Sequence, residues 1–311
     1  MTGAPSIRVS VIVPAFNARA FISRAIDSAL GQSLAELEVV VVDDASSDRT
    51  ADFIAASYGD PRLRILRMKE NGGPARARNI GIDAAHGEWI ALLDADDAWH
   101  PDRLARLLLR ASEADAVFDN LTGYDAETGL AAGPLFPAFP EGRLTLASLL
   151  AHRVSQSKFD FGYLKPIIRR DFLLSRSLRY DETLRTSEDL LLYLTLVLQG
   201  ARTKMVDDAL YLYTMPTGVS KRRSTTSRTR PRDADVRRAL ERMLERYRSR
   251  IGPESAMLFT QRIDYLRKIA PLSEFYHARQ MRDYGRMALL LARHASVQRE
   301  VMTKAVARLS R

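Results

Sequence analysis

The sequence predicts an α/β fold in which a doubly wound, mostly parallel sheet fills the first 220 residues and helices make up the remainder. Three observations lead there. Short, β-branched apolar runs lack polar alternation, as strands buried on both faces do. Helical patterns separate these runs, and regular strand–helix alternation builds a parallel sheet. Beyond residue 220 the strand signals stop and the charge balance changes sign. A chain of 311 residues that is 46% hydrophobic and 27% charged has an ordinary soluble composition and can bury a sizeable core.

Taken in order, "VSVIVPAF" (9–16) is the first strand, followed by the helix "ARAFISRAIDSALGQS", which closes in a turn containing Gly31. "EVVVVDDAS" (38–46) is the second strand, and the helix "SDRTADFIAASYG" stops at Gly59. "RILRM" (64–68) and the helix "ARARNIGIDAAHG", which stops at Gly87, come next. "WIALLDADD" (89–97) leads into the helix "HPDRLARLLLRASE", with Pro101 near its first turn, and "ADAVFDN" (114–120) is the fifth strand. Residues 125–160, with Gly129, Gly133, Pro134, Pro137 and Pro140, read as a long irregular excursion, the kind of loop that often covers a binding face. A second patterned region spans about 160–215. The expected division is therefore a catalytic-type domain at 1–220, a basic polar linker at 221–233 and a basic helical region at 234–311.

Charge is distributed unevenly. Residues 1–220 carry 24 Lys and Arg against 29 Asp and Glu, whereas residues 221–311 carry 23 against 9, so the overall +9 conceals a C-terminal excess of +14. Such a block suits a polyanionic partner, or is simply a solvated helical face. Arg279, Arg282, Arg286 and Arg293 are spaced to share one side of a helix, with Met281, Tyr284, Ala288 and Leu291 on the other, which predicts a basic amphipathic helix able to lie on an anionic membrane. No nucleic acid partner is expected, because the chain lacks an aromatic-interleaved basic sheet or a zinc module. Absence of cysteine excludes disulfides and thiolate chemistry. No run reaches the roughly 18 apolar residues of a membrane span, and "MTGAPSIRVS" has no signal-peptide pattern, so a cytoplasmic location is expected.

Candidate chemistry gathers at the strand ends. In open α/β sheets, ligands bind outside the carboxyl ends of the strands. Asp43 and Asp44 end the second strand, and Asp94, Asp96 and Asp97 end the fourth. Carboxylates this close repel one another unless something positive is bound, which suits a divalent cation; capping of the following helices is the simpler alternative.

The ordered set "VSVIVPAFN", "VVVDDASSDRT", "NGGPARARNIG", "LLDADDAWHPDRL" and "SEDLLLYLTL" resembles the family 2 inverting, nucleotide-sugar-dependent glycosyltransferases with the GT-A fold, over roughly residues 7–220. Within that family, "AVFDNL", "GYLKPIIRRDFL", "LRYDETLRTSEDLLL" and "GVSKRR" most resemble the bacterial glucosyltransferases of succinoglycan-type exopolysaccharide assembly. The resemblance implies a UDP-sugar donor, with glucose expected, and a lipid-linked saccharide acceptor at the inner face of the cytoplasmic membrane, contacted through residues 221–311. Another UDP-sugar (galactose, N-acetylhexosamine or glucuronate) and a non-catalytic nucleotide-sugar-binding protein are the alternatives.

Residue by residue, the resemblance places Pro14 and Asp44 at the uridine, and Arg78, Asn79 and Asp94 along the rest of the donor. Asp96 is implied as principal ligand of Mg²⁺ or Mn²⁺, with Asp97 second. Asp189, paired with Glu188 at the start of a helix, is implied as the base that takes the acceptor proton, a position whose dipole favours a carboxylate. Relatives with a metal-binding His near the domain end have no counterpart in "YLYTMPTGVSKRR", where Ser220, Lys221 and Arg222 are candidate diphosphate contacts. His100 is expected at the surface. Trp89, Trp99, Tyr163 and Tyr180 are expected in the core rather than on sugar rings.

Overall fold

The computed structural model describes residues 7–136, 142–154, 160–215 and 233–309. Strand and helix alternate as expected through β1 (Val9–Ala15), α1 (Ile22–Leu30), β2 (Leu37–Asp43), α2 (Thr50–Ser57), β3 (Leu63–Arg67), α3 (Pro74–Ala84) and β4 (Trp89–Leu92). All of β2 and β4 is buried, which is why their sequences show no alternation. β1 lies at the centre and pairs in parallel with both, Ala15 beside Asp43 and Ile12 beside Leu92. That register brings the ends of β2 and β4 to one edge of the sheet, where Asp44 N–H donates to the Ala15 carbonyl at 2.8 Å and Leu93 N–H to the Ile12 carbonyl at 3.1 Å. α3 can lie close against β1 because Gly81 has no Cβ; an added one would overlap Ile12.

Further along come β5 (Ala98–Trp99), α4 (Arg103–Leu109), β6 (Ala116–Tyr124), β7 (Ala131–Pro134), α5 (Leu146–Val154), β8 (Ile167–Arg169), α6 (Arg170–Ser175), α7 (Glu188–Leu198) and β9 (Thr203–Thr214). Among the described residues the strand order is β3-β2-β1-β4-β8-β6-β9-β5, with β7 paired to β6. Two features differ from the sequence expectation. β8 enters antiparallel between β4 and β6, so the fifth predicted strand does not neighbour the fourth; three residues are too few to show a period. The excursion after residue 125 is partly regular, since an Asp125–Gly129 turn returns the chain as β7 along β6, and α5 follows. Pro137 and Pro140 lie outside the described residues.

β5 is the short strand that matters most for the site. It pairs antiparallel with β9, Trp99 opposite Tyr211, and so draws the end of β9 beneath the acidic turn after β4. Below this junction Arg103 and Asp119 are both fully buried, with bonds of 2.8 and 2.7 Å, and the guanidinium also donates to the Lys165 carbonyl.

Among the described residues, four α-helices follow residue 232: α8 (Asp233–Arg246), α9 (Pro253–Gln280), α10 (Tyr284–Arg293) and α11 (Ala295–Leu309). Leu240, Phe259, Ile263 and Leu266 of α8 and α9 join the same continuous core as the sheet. Arg262 of α9 is buried and pairs with Asp160 at 2.7 Å. α10 and α11 pack on the end of α9 in a smaller cluster of Phe275, Leu290 and Val297. The single amphipathic helix expected around Arg279–Arg293 is instead broken. α9 ends at Gln280, Arg282 has φ 58°, and the Asp283 side chain caps α10 by accepting from Arg286 N–H at 2.9 Å. On α10 Leu290 is buried and Tyr284 exposed, and Met281, in the turn before it, is exposed as well. Residues 221–232 of the predicted linker lie outside the described residues, as do Ser220, Lys221 and Arg222.

Removing one partner of the Arg103–Asp119 pair leaves a bare charge in the core. Arg103→Met is expected to lower the unfolding free energy by about 3–5 kcal/mol in urea titrations; a loss below about 1 kcal/mol would show that the pair does not hold the α4–β6 junction.

Candidate active site

The acidic turn after β4 contains three carboxylates in three different situations. Asp97 N–H donates to the Asp94 carbonyl at 3.1 Å, closing the turn. The Asp97 side chain is 2% exposed and accepts from the Tyr211 hydroxyl at 2.7 Å and from Thr214 N–H at 2.8 Å, so it clamps the end of β9. Burial, reinforced by the charges of Asp96 and Asp94, pushes its carboxyl well above the usual range. Asp94 has a cation on each oxygen, Arg78 Nη2 at 2.8 Å and Lys165 Nζ at 3.1 Å. Burial disfavours its ionised form, but Lys165 and Arg78 outweigh this and hold its pKa well below the ordinary value. Asp96 faces solvent and has no ion-pair partner among the described residues. Desolvation by the surrounding cleft, reinforced by the Asp94 charge, raises its pKa.

Asp96 carries the test for a metal. Among the described residues no three carboxylate or imidazole groups converge to hold an ion unaided. Mg²⁺ and Mn²⁺ do not require that, because hard cations are commonly held by one or two carboxylates together with substrate phosphates and water. A solvent-facing, unpaired Asp96 within a cluster of mutually repelling carboxylates fits such an ion. Asp97 has each oxygen in a hydrogen bond and lies beneath, where it shapes the turn.

The donor-side residues divide in an unexpected way. Pro14 sits half-buried near the end of β1, opposite Val42. Asp44 accepts from Gly72 N–H at 2.6 Å, Gly73 N–H at 2.8 Å and Asn71 Nδ2 at 3.0 Å, and thereby latches the glycine loop onto β2. Gly73, at φ 84°, is required there, since a Cβ would overlap the Arg185 guanidinium that binds the Gly72 carbonyl. Asp43 is buried with Oδ1 unpartnered and caps no helix. Helix α2 is entered through Arg49 in the left-handed region, and Asp48 accepts Thr50 N–H at 3.0 Å.

Arg78 and Asn79 both reach toward the C-terminal half of the sheet domain. Arg78 lies over the Tyr180 ring, donates to Glu188 Oε1 at 2.8 Å as well as to Asp94, and is 3.7 Å from Asp189 Oδ1. Asn79 donates to the Tyr180 carbonyl at 3.0 Å and to Glu182 at 2.9 Å, and accepts Tyr180 N–H at 2.9 Å. Glu188 and Asp189 open α7 after Ser187, whose side chain makes no capping bond. Both carboxylates are buried, and Asp189 Oδ2 receives Lys165 Nζ at 2.6 Å while its Oδ1 has no hydrogen-bond partner. His100 is exposed and Trp89, Trp99 and Tyr180 are buried, as expected, but Tyr163 is not in the core: it is exposed and stands edge-on to Tyr213 at 5.8 Å.

Two residues of this site escape sequence reasoning. Lys165 is buried between Asp94 and Asp189, which hold it protonated in spite of burial. Its only local signal is Pro166, which keeps it extended on entry to β8. Arg24 on α1 donates to the Asp96 carbonyl and to Thr214 Oγ1, and stacks on Tyr124 with its guanidinium carbon 4.7 Å from the ring centre. It supplies positive charge beside Asp96.

The doubly wound sheet, with an acidic turn after β4 and an acidic pair opening α7, has the architecture of the GT-A fold. Solved structures with this architecture include Staphylococcus aureus TarS 1–349 in complex with UDP-GlcNAc, with TM-score 0.61 and 21% identity over 91% of this chain and 90% of that one. The Pyrobaculum calidifontis mannosyltransferase PcManGT in complex with GDP-Man and Mn²⁺ gives TM-score 0.58 at 22% identity, over 97% of this chain and 80% of that one. The family model "Glycosyl transferase family 2" matches residues 10–171, just over half of the sequence, and the chain belongs to that family. Two Rhizobium meliloti (strain 1021) proteins are similar: succinoglycan biosynthesis protein ExoO, 42% identical over 66% of this chain and 60% of its own length, and succinoglycan biosynthesis protein ExoU, 40% identical over 68% and 63%. The similarity thus spans somewhat under two thirds of each relative.

Because Lys165 and Asp189 share one buried network, their substitutions should not add. Lys165→Met is expected to destabilise by about 3–5 kcal/mol, and a double-mutant cycle with Asp189→Asn in urea should recover more than about 1 kcal/mol of coupling. Strict additivity would show that Lys165 does not pair with Asp189 in solution.

Proposed function

We propose that the chain is an inverting, metal-dependent hexosyltransferase of bacterial exopolysaccharide biosynthesis, which takes glucose from UDP-glucose and places it on a lipid-linked oligosaccharide at the inner face of the cytoplasmic membrane. The observation that carries this reading is the contrast between two carboxylates of one site: Asp96, without an ion-pair partner among the described residues and open to solvent, and Asp189, buried against Lys165 with no hydrogen bond to its Oδ1. Similarity to the two succinoglycan biosynthesis proteins supports the polysaccharide setting. The UDP-GlcNAc complex of TarS supports a uridine donor, and also favours an N-acetylhexosamine as second choice of sugar.

In this reading Pro14 and the Asp44-latched Gly72–Gly73 loop shape the nucleoside pocket. Asp94, fixed by Arg78 and Lys165, faces the donor from the turn that presents Asp96. A bound Mg²⁺ or Mn²⁺ would be held by Asp96, with Asp97 supporting the turn, and would supply Lewis-acid stabilisation to the departing diphosphate. Asp189 Oδ1 accepts the proton of the acceptor hydroxyl as that oxygen bonds to the anomeric carbon and the bond to UDP breaks, with Glu188 and Arg78 fixing the first turn of α7. One such displacement converts an α-linked donor into a β-linked product. Oδ1 makes no hydrogen bond, with Arg78 Nη1 3.7 Å away, and so can take a proton, whereas Oδ2 is tied to Lys165.

The test pairs two isosteric variants with a panel of radiolabelled nucleotide sugars and a membrane extract. Asp96→Asn should abolish transfer and the metal-dependent part of UDP binding. Asp189→Asn should keep UDP affinity and lower turnover by roughly 10²–10⁴. Near-normal turnover of Asp96→Asn with Mg²⁺ or Mn²⁺ would overturn the metal assignment. Loss of donor affinity without a separate loss of turnover would make Asp189 a binding residue, and a retained anomeric configuration would exclude a single displacement.

A further inference from the structure

Away from the sheet edge, α8, α9 and α10 line a half-open cavity of about 440 Å³. Four arginines from the three helices converge on it: Arg237 from α8, Arg267 from α9, and Arg286 and Arg293 from α10. Pro271 and Leu289 belong to the apolar part of the wall. The catalytic reading uses none of these residues.

Helix packing accounts for some of this charge and leaves some over. Arg286 pairs with Glu274 across the α9–α10 contact, and Arg267 pairs with Asp264 at 2.6 Å and Glu241 at 3.3 Å. Arg237 pairs with Glu241 one turn along α8 at 2.7 Å. Arg293 has no ion-pair partner among the described residues, although it lines the same cavity. Four guanidiniums thus share three carboxylates, and each pair on the rim is weak enough to exchange its carboxylate for a better acceptor. Guanidinium forks match phosphate oxygens two at a time, so a cavity with several of them selects phosphate over a lone carboxylate. The apolar wall favours a phosphate that carries hydrocarbon beside it. The +14 charge of residues 221–311 would draw the molecule to a surface rich in such groups.

We propose that the cavity between α8, α9 and α10 is a binding site for the phosphate headgroup of an anionic membrane lipid, with Arg237 and Arg293 as its principal contacts. The site holds the enzyme at the membrane through a defined pocket, not through diffuse charge alone. The choice of a lipid source rests on the proposed lipid-linked acceptor; the affinity for phosphate does not.

Flotation of the full-length protein at low salt compares vesicles of phosphatidylcholine with vesicles that also contain phosphatidic acid, and titration with inorganic pyrophosphate forms the soluble arm. Binding should appear only with the anionic vesicles. Arg237→Gln/Arg293→Gln should weaken it about tenfold or more, whereas Arg279→Gln/Arg282→Gln, which removes equal charge outside the cavity, should weaken it less than about threefold. Circular dichroism checks that both variants fold. Equal losses in the two variants would reduce the cavity to general electrostatics and overturn the proposal. Absence of vesicle binding would overturn it too, as would tight pyrophosphate binding without vesicle binding, which would point to a soluble phosphate. Because the readout is binding, failure here leaves the catalytic reading standing, and failure of the Asp189→Asn experiment leaves this one standing.

Discussion

Two buried cations, Arg78 and Lys165, share three carboxylates that arrive from distant parts of the sequence: Asp94 after β4, and Glu188 and Asp189 at the start of α7. Each group would be costly to bury alone, and each is tolerable because the others are present. Arg78 comes from α3, which packs on β1, and Lys165 enters from the segment before β8. The network therefore ties together the β1–β4 sheet, the inserted β8 and the helix that carries the proposed base.

Around this fixed centre the remaining carboxylates take distinct tasks. Asp97 and Asp44 are structural latches, the first joining the acidic turn to β9 and the second joining the glycine loop to β2. Asp96 is left open to solvent. The site thus separates carboxylates whose oxygens are used to hold backbone in place from one whose oxygens remain available: β9 engages Asp97 and the glycine loop engages Asp44.

The parallel half of the fold and its acidic edge are legible in the sequence because both signals are local. A fully buried strand such as β2 has a continuous apolar run, and the change to aspartate at its end marks where the sheet stops. The antiparallel insertion of β8 is illegible, since Ile167–Arg169 has too few residues to show a pattern and its partners lie far along the chain. Lys165 and Arg24 are missed for a related reason: a single basic residue acquires meaning only when the fold sets it against Asp94, Asp189 or the Asp96 backbone. Arg78 and Asn79 stand out by motif, but their orientation toward Glu188 and Tyr180 depends on tertiary contacts. The C-terminal arginines suggest one amphipathic helix by spacing alone, and the Asp283 cap divides it.

The claim that Arg78 joins the acidic turn to the first turn of α7 is tested most directly by amide hydrogen exchange on the Arg78→Met variant. The account predicts that the segments around Asp94–Asp97 and Glu188–Leu192 lose protection together, while β1 and β2 keep theirs. Loosening of only one of the two segments, or of neither, would contradict it and make Arg78 a local partner instead of the link across the site.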